Sequence, residues 1–380
     1  MLYKIELSGF KSIKTMEIDL KPLNVLIGAN GSGKSNFISF FKMLNYAMSG
    51  YLQGYIGESG GADSLLHYGS RYTPEVAGTL YFDTEAGENT YHLRLTSAAQ
   101  DTLIFADEAI AFTKRGTAKA PLISLGAGHK ESGLISLIEG RPQLKSGKVN
   151  IKTAKVIKTI MDRWRVYHFH DTSAQAKIKK TSYIHDNFYL RSDAGNLAAF
   201  LYLLRETKAD YYRRIVSTIR LMAPFFDDFL LYPSKYNENN ILLNWKEKGA
   251  PPDAIFGPHQ LSDGTLRMMA LVTLLLQPEL PDLIIVDEPE LGLHPYAINV
   301  LASLLKSVST KTQIIVSTQS VPLIDQLEPE DLIVVDREIA ADVYKSIFRR
   351  LSTEDLSEWL DEYTLGQLWE KNVLGGRPSR

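Results

Sequence analysis

The sequence predicts an α/β fold: a mainly parallel sheet with helices on both faces, accompanied by a separate antiparallel layer. Three observations predict it. In the last third, the apolar runs "DLIIVD", "QIIVS" and "DLIVV" alternate with helical segments at 264–277, 295–307 and near 321–327, the βαβ rhythm of a parallel sheet. Near the N-terminus the apolar run "PLNVLIG" passes through a glycine-rich turn into a helical pattern. From Gly78 to about Thr113, short alternating runs such as "TLYFD" and "TYHLRL" carry the period of two expected of antiparallel strands.

Taken in order, "LYKIEL" and "MEIDL" read as strands, and "PLNVLIG" is apolar enough to be central in a sheet. Lys34 to Met48 reads as a helix with Phe37, Phe40, Phe41 and Leu44 on one face. After the antiparallel runs, residues 114–150 are rich in Gly, Lys and Ser and read as an exposed excursion. "WRVYHFH" (Trp164–His170) returns to strand character. "GNLAAFLYLLRE" and "YYRRIVSTIRLMAPFF" read as helices and "NILLNW" as a strand. The helix at 264–277 opens from the polar turn "LSDGT", and "STEDLSEWLDEYTLGQLWE" (residues 352–370) reads as two short acidic surface helices.

Composition bounds the function. The chain has 380 residues, 44% hydrophobic and 23% charged, enough to bury a real core in one large domain or two ordinary ones. A net charge of −2 favours no particular partner. The absence of cysteine excludes disulfides and thiolate metal sites and fits a reducing compartment. There is no 18-residue apolar run, and the N-terminus reads as a strand rather than a signal peptide, so a cytoplasmic protein without a membrane partner is expected.

"GANGSGKS" (Gly28–Ser35) has the spacing G-x-x-x-x-G-K-S, after an apolar strand and before a helix. The glycines let backbone N–H groups turn toward phosphate oxygens, and the helix N-terminus adds its positive end. The expected nucleotide-binding residues are Asn30, Gly31, Ser32, Gly33, Lys34, Ser35 and Asn36. Lys34 would reach the β- and γ-phosphates, and Ser35 would hold Mg²⁺. The plainer reading, a glycine-rich turn capping an ordinary helix, does not call for both flanks.

"LIIVDEPE" (Leu283–Glu290) ends an apolar strand in two carboxylates, at the carboxyl end of the sheet where open α/β folds bind ligands. Asp287 is suited to the Mg²⁺ shell and Glu288 to orienting or deprotonating a water at the γ-phosphorus. A strand that merely ends in an acidic turn is the alternative.

A phosphate loop, an LSxG-type turn about two dozen residues before an apolar strand ending in Asp-Glu-Pro, and a polar position after the next strand together resemble an ABC-type ATPase head of the P-loop NTPase fold. More narrowly, "GFKSIKTMEIDLKPLNVLIGANGSGKSN" is similar to the openings of the SMC/RecF/OLD group, chromosome-maintenance and phage-defence ATPases of the RecF-like AAA kind. The resemblance is strong over residues 1–50 and about 255–335, and looser over "WRVYHFHDTS" and "LRSDAGNLAAFL". It implies four parts: an ATPase lobe over 1–190 with the phosphate loop and the antiparallel layer; a helical insertion over 191–260 in place of a coiled-coil arm; a second lobe over 261–350 carrying signature, acidic strand and switch; and an acidic helical tail over 351–380.

In that group two heads pair face to face, and the signature turn of one closes over the ATP of the other. The resemblance therefore implies that Ser262, Asp263, Gly264 and Thr265 form an anion site acting in trans, whereas a plain Ser/Asp N-cap describes the same residues without the function. Asp263 and Thr265 depart from the transporter form LSGGQ; an acid beside a phosphate would repel it, so Asp263 should point away or contact the partner. The 230 residues from Lys34 to Gly264 exceed a compact transporter domain. By the same resemblance Gln319 in "STQS" takes the switch position and shares catalysis with Glu288. Lys11 in "GFKS" is a basic residue near the phosphates, and Glu290 and His294 in "ELGLHP" belong to a dimer-contact turn. His170 or Asp171 stands at the Q-loop as a Mg²⁺ sensor. A metal site built from His168, His170 and Asp171 alone lacks a further ligand nearby.

Residues 141–180 hold eleven basic residues (Arg141, Lys145, Lys148, Lys152, Lys155, Lys158, Arg163, Arg165, Lys177, Lys179 and Lys180) against Asp162 and Asp171, a net +9 in a chain of −2. Either a DNA or RNA backbone contact or a solvated helix face accounts for them. Two functions remain open. One is a Mg²⁺-dependent ATPase, a homodimer or higher homo-oligomer on ATP, switching a separately encoded effector or a nucleic-acid clamp in phage defence or DNA repair. The other is an ATP-binding scaffold or sensor with little turnover that sequesters a toxin or nuclease. Glu288 favours turnover.

Overall fold

The computed structural model describes residues 1–140, 151–340 and 343–376. The chain divides into two compact units, Met1–Trp164 with Glu328–Arg380, and Arg165–Leu327.

The first unit opens with β1 (Leu2–Phe10), β2 (Ile13–Asp19) and β3 (Leu23–Ile27), then α1 (Lys34–Met48) and α2 (Leu52–Glu58). Next come β4 (Glu75–Thr84), β5 (Gly87–Ala98), β6 (Thr102–Lys114), β7 (Ile123–Gly126), α3 (Gly133–Ile138) and α4 (Ile151–Asp162). The antiparallel layer is a six-stranded sheet of order β2-β1-β4-β5-β6-β7. The predicted face of α1 is buried: Phe37, Phe40 and Phe41 are fully enclosed and Leu44 nearly so. Phe40 meets Phe10 edge-on at 5.6 Å between centroids, and Phe41 meets Trp164 likewise at 5.6 Å. Such pairs add about 0.5–1.5 kcal/mol each beyond their burial, which seats the start of α1 firmly on the sheet.

The segment after Thr113 is exposed over much of its described length, as expected, but it is not without structure. Its described part contains β7 and α3, with Leu125 and Leu134 completely buried. The cause is Glu108, a buried carboxylate on β6. It accepts from the Tyr91 hydroxyl (2.7 Å), the Ser132 hydroxyl (2.5 Å) and Gly133 N (2.6 Å), and lies 2.9 Å from His129 Nε2. A Gly/Ser-rich sequence is thereby pinned to the sheet by polar groups, which hydrophobic periodicity cannot reveal.

At the chain boundary between the units stands β8 (Trp164–Tyr167). The second unit then has β9 (Ser182–Tyr183), α5 (Leu197–Thr207), α6 (Ala209–Met222), β10 (Phe226–Leu230), β11 (Pro233–Ser234), β12 (Asn237–Ile241) and β13 (Asn244–Glu247). Residues 191–260, expected as a helical insertion, thus hold two helices followed by short strands, paired as β10-β13 and β11-β12-β9. "NILLNW" is two strands rather than one. The chain turns at Leu242, where Asn244 N donates to Leu242 O at 2.8 Å, and Ile241, Leu243 and Trp245 are all buried.

The alternating part follows as predicted: α7 (Asp263–Leu276), β14 (Leu283–Asp287), α8 (Pro295–Ser309), β15 (Gln313–Thr318) and α9 (Val321–Ile324). β14 and β15 are parallel, with Asp287 opposite Ser317 at their carboxyl ends. The chain then returns to the first unit with β16 (Leu332–Ala340), β17 (Val343–Arg350), α10 (Thr353–Leu360) and α11 (Leu365–Glu370). β16 runs parallel to β3, pairing Val334 with Ile27, and β17 folds back antiparallel on β16. The strand β17 has no counterpart in the sequence reading. Nor is α11 a surface helix, since Leu365, Leu368 and Trp369 are buried. Among the described residues no helix is long and apolar enough to cross a membrane.

Candidate functional site

In the first unit, every residue of β3 is buried, so the strand delivers its end at a fixed point, where Gly28 begins the loop. Ser32 N donates to Ala29 O at 3.1 Å, closing the turn that leads into α1. Gly33 lies at φ 119°, and a Cβ there would stand 2.2 Å from Ser346 Oγ, so only glycine fits. The Ser346 hydroxyl donates to Ser32 O at 2.5 Å and lies 2.7 Å from Ser12 Oγ, to which the Asn36 amide donates at 2.7 Å. Ala29 N donates to Gly376 O at 2.5 Å. The loop is therefore braced from behind by β17, by the turn after β1 and by the C-terminal segment.

Its front is built for anions. Lys34 is only 5% exposed, and its ammonium donates to Gly28 O (2.6 Å) and Ala29 O (3.0 Å), bent over the loop itself. Ser32 Oγ is buried without a partner. Asn30, Gly31 and Ser35 are exposed and Asn36 half-buried. A lysine satisfied by carbonyls, an orphaned hydroxyl and a glycine backbone fit a polyphosphate, and Ser35 at the exposed start of α1 fits a Mg²⁺ ligand. Lys11 is half-buried at φ 48°, its carbonyl 2.7 Å from His67 Nδ1; burial, with Lys42 nearby, lowers its ammonium's pKa.

In the second unit, the ends of β14 and β15 bring together Asp287, Glu288, Gln319 and His170. The Ser317 hydroxyl donates to Asp287 Oδ1, and His170 Nε2 lies 2.9 Å from Asp287 O. Glu288 has φ 41°, a region that side-chain-bearing residues avoid, and its N–H donates to Ser317 O at 2.9 Å. Gln319 Nε2 donates to Glu288 Oε1 at 2.6 Å. Glu290 is 8% exposed; Oε1 accepts from the Thr318 hydroxyl, Oε2 has no partner, and burial raises its pKa. Asp171 is exposed and closes its own turn, accepting from Ser173 N at 3.1 Å; the Ser173 hydroxyl, and then this N–H, lower its pKa. Of the two Q-loop candidates, only His170 reaches the carboxylate strand. His294 caps α8, accepting from Tyr296 N at 3.3 Å. Among the described residues no three His, Asp or Glu side chains gather closely enough to hold a metal unaided.

The signature turn sits at the start of α7. Ser262 Oγ accepts from Thr265 N at 3.1 Å and lies 2.8 Å from Thr265 Oγ1, while both side chains face the surface. Asp263 is paired within its own chain: Lys179 Nζ donates to Oδ1 at 3.1 Å, which lowers its pKa. A Cβ on Gly264 would meet Gly292 O at 2.0 Å, so this glycine lets α7 approach the turn after the carboxylates. Arg267 completes the arrangement, donating to Phe169 O (3.1 Å), His170 O (2.8 Å) and Leu291 O (3.1 Å). Sequence reasoning missed Arg267, Ser317, Ser346 and Ser12. For Arg267 a signal exists, since it lies four residues after Asp263 at the head of the same helix.

Of the basic stretch, Arg141, Lys145 and Lys148 lie outside the described residues. Lys152, Lys155 and Lys158 are on α4, where Lys158 pairs with Asp162 at 2.6 Å. Lys177 pairs with Asp193 at 2.9 Å, Lys179 with Asp263, and Arg165 lies over the Tyr189 ring. Among the described residues, carboxylates thus pair with Lys158, Lys177 and Lys179.

Residues 1–51 match the family described as "AAA ATPase domain", and residues 245–325 the family described as "AAA domain, putative AbiEii toxin, Type IV TA system". No curated protein matches the chain in sequence. Among solved structures, an SmcHead bound to the C-winged helix domain of ScpA superposes with a TM-score of 0.61 at 17% identity, over 93% of this chain and 99% of that one. The Smc head domain of Pyrococcus furiosus, bound to the C-terminal domain of ScpA, gives 0.54 at 16% identity, over 95% and 98%. That of Pyrococcus yayanosii gives 0.51 at 13%, over 95% and 99%. The fold is that of an ABC-type, SMC-like ATPase head of the P-loop class.

Proposed function

We propose that this chain is a Mg²⁺-dependent ATPase that pairs head to head on ATP and uses the pairing as a switch for a separate effector protein or a nucleic-acid clamp. One observation carries the reading: Ser262 stands exposed at the N-terminus of a buried helix while Lys179 holds and neutralises Asp263. The charge of the one repulsive group in the turn is thereby offset, and a hydroxyl and the positive end of the helix are left for the γ-phosphate of a second copy.

Lys34 and the loop amides would hold the β- and γ-phosphates, with Ser35 and Asp287 as Mg²⁺ ligands. The ion, when bound, neutralises charge on the phosphates. Glu288 would receive the proton of the attacking water, with Gln319 fixing its carboxylate. The cytoplasm is the proposed compartment. The match of residues 245–325 to a toxin–antitoxin-related AAA family supports phage defence ahead of DNA repair as the setting.

Steady-state ATP hydrolysis tests the proposal. Wild type should turn over in Mg²⁺, Lys34→Ala should bind no nucleotide by calorimetry, and Glu288→Gln should bind without turnover. Nucleotide binding unchanged in Lys34→Ala would remove the loop assignment.

A further inference from the structure

The β16–β17 hairpin carries a group that the phosphate chemistry does not use. β16 continues beyond the end of β3, so that Arg337 stands next to the phosphate loop, and a side-chain atom at Gly31 would lie 3.9 Å from Arg337 Nη1. The guanidinium is exposed and lies over the Tyr344 ring, 4.4 Å from its centroid, and no carboxylate among the described residues pairs with it. A desolvated or ion-paired arginine would be structural; this one is neither.

The platform beneath it is fixed in place. The Tyr68 hydroxyl donates to Tyr344 O and accepts from Tyr344 N, both at 3.2 Å, which ties the returning strand down. Ser346, two residues on, is held at Ser32 O. On the other strand, Asp336 Oδ1 accepts from Arg337 N at 2.7 Å, while its Oδ2 accepts from Gly376 N at 3.1 Å. Yet Tyr344 stays 44% exposed and Ile339 58%. A rigid hairpin that leaves a planar cation and large apolar groups in water is organised for a ligand rather than for the core.

We infer that the Arg337 guanidinium, backed by Tyr344, is a stacking shelf for the nucleobase of the nucleotide whose phosphates the Gly28–Ser35 loop holds. A guanidinium with one face against a ring has its other face left for a flat π-system, and arginine stacks on such planes where lysine cannot. The inference rests on the phosphate-loop reading.

Calorimetry of the full chain with ATP, ADP and inorganic tripolyphosphate separates the two. Arg337→Ala should weaken ATP and ADP by about tenfold, the scale of one lost stack, and leave tripolyphosphate unchanged. Arg337→Lys, which keeps the charge and loses the plane, should weaken ATP and ADP to the same degree. Equal loss for all three ligands, or full rescue by lysine, would make Arg337 a phosphate contact and overturn the shelf; unchanged ATP affinity in Arg337→Ala would overturn it as well. Failure of the underlying reading looks different: Lys34→Ala would then bind tripolyphosphate as wild type does.

Discussion

Gln319 donates its side-chain amide to Glu288 Oε1 at 2.6 Å, although 31 residues separate them along the chain. A glutamine cannot exchange a proton near pH 7, so its part is to hold the carboxylate rather than to share its proton. Gln319→Leu is predicted to lower kcat about tenfold or more with ATP affinity within twofold, and Gln319→His to retain much of the rate, in steady-state assays paired with calorimetry. A loss of affinity with kcat intact would make Gln319 a binding residue instead.

Glu288 is held at φ 41°, where a side chain costs about 1–2 kcal/mol. Glu288→Gly should therefore abolish hydrolysis while raising resistance to urea by about 1 kcal/mol, a separation of stability from activity. A less stable glycine variant would show that the Gln319 bond outweighs the backbone strain.

Gly264 admits no Cβ, because Gly292 O would lie 2.0 Å away. Gly264→Ala is predicted to push α7 from the turn at 288–294 and cost about 1–3 kcal/mol. Thermal denaturation reads this directly. Gly57 on α2, where the backbone is also helical and a Cβ meets nothing within 4 Å, makes the control for the substitution without the clash.

Burial raises the pKa of Glu290 above its ordinary 4.5, so the fold favours the neutral form. The stability this group confers is complete below about pH 4.5, declines as pH rises through the folded-state value, and stays reduced at neutral pH. Glu290→Gln keeps an oxygen to accept from Thr318 and removes the charge. Its Tm should exceed that of wild type at pH 7–8, with the gap closing toward pH 4.5. A gap independent of pH would show that Glu290 titrates alike in the folded and unfolded chain, so that burial does not raise its pKa.

Much of this was legible in the sequence, for a physical reason. The loop Gly28–Ser35 and the strand ending at Asp287 are local: their chemistry is written in consecutive residues beside strongly apolar strands, and both lie where the pattern puts them. The partners that tune them were not legible. Ser346 reaches Ser12 across 334 residues and Lys179 reaches Asp263 across 84, and such pairings leave no periodic trace. In the sequence Lys179 is one more charge in a basic run. Glu288's backbone conformation was equally hidden, since nothing in "VDEPE" announces a positive φ at a glutamate.

The most direct test of the central claim is the mass of Glu288→Gln by size-exclusion light scattering, with and without ATP and Mg²⁺, alongside the double variant Glu288→Gln, Ser262→Arg. The account predicts that nucleotide converts the single variant to a larger assembly of at least two copies, while the double variant binds nucleotide by calorimetry yet keeps its nucleotide-free mass. A single variant whose mass ATP leaves unchanged, or a double variant that assembles equally well, would contradict it.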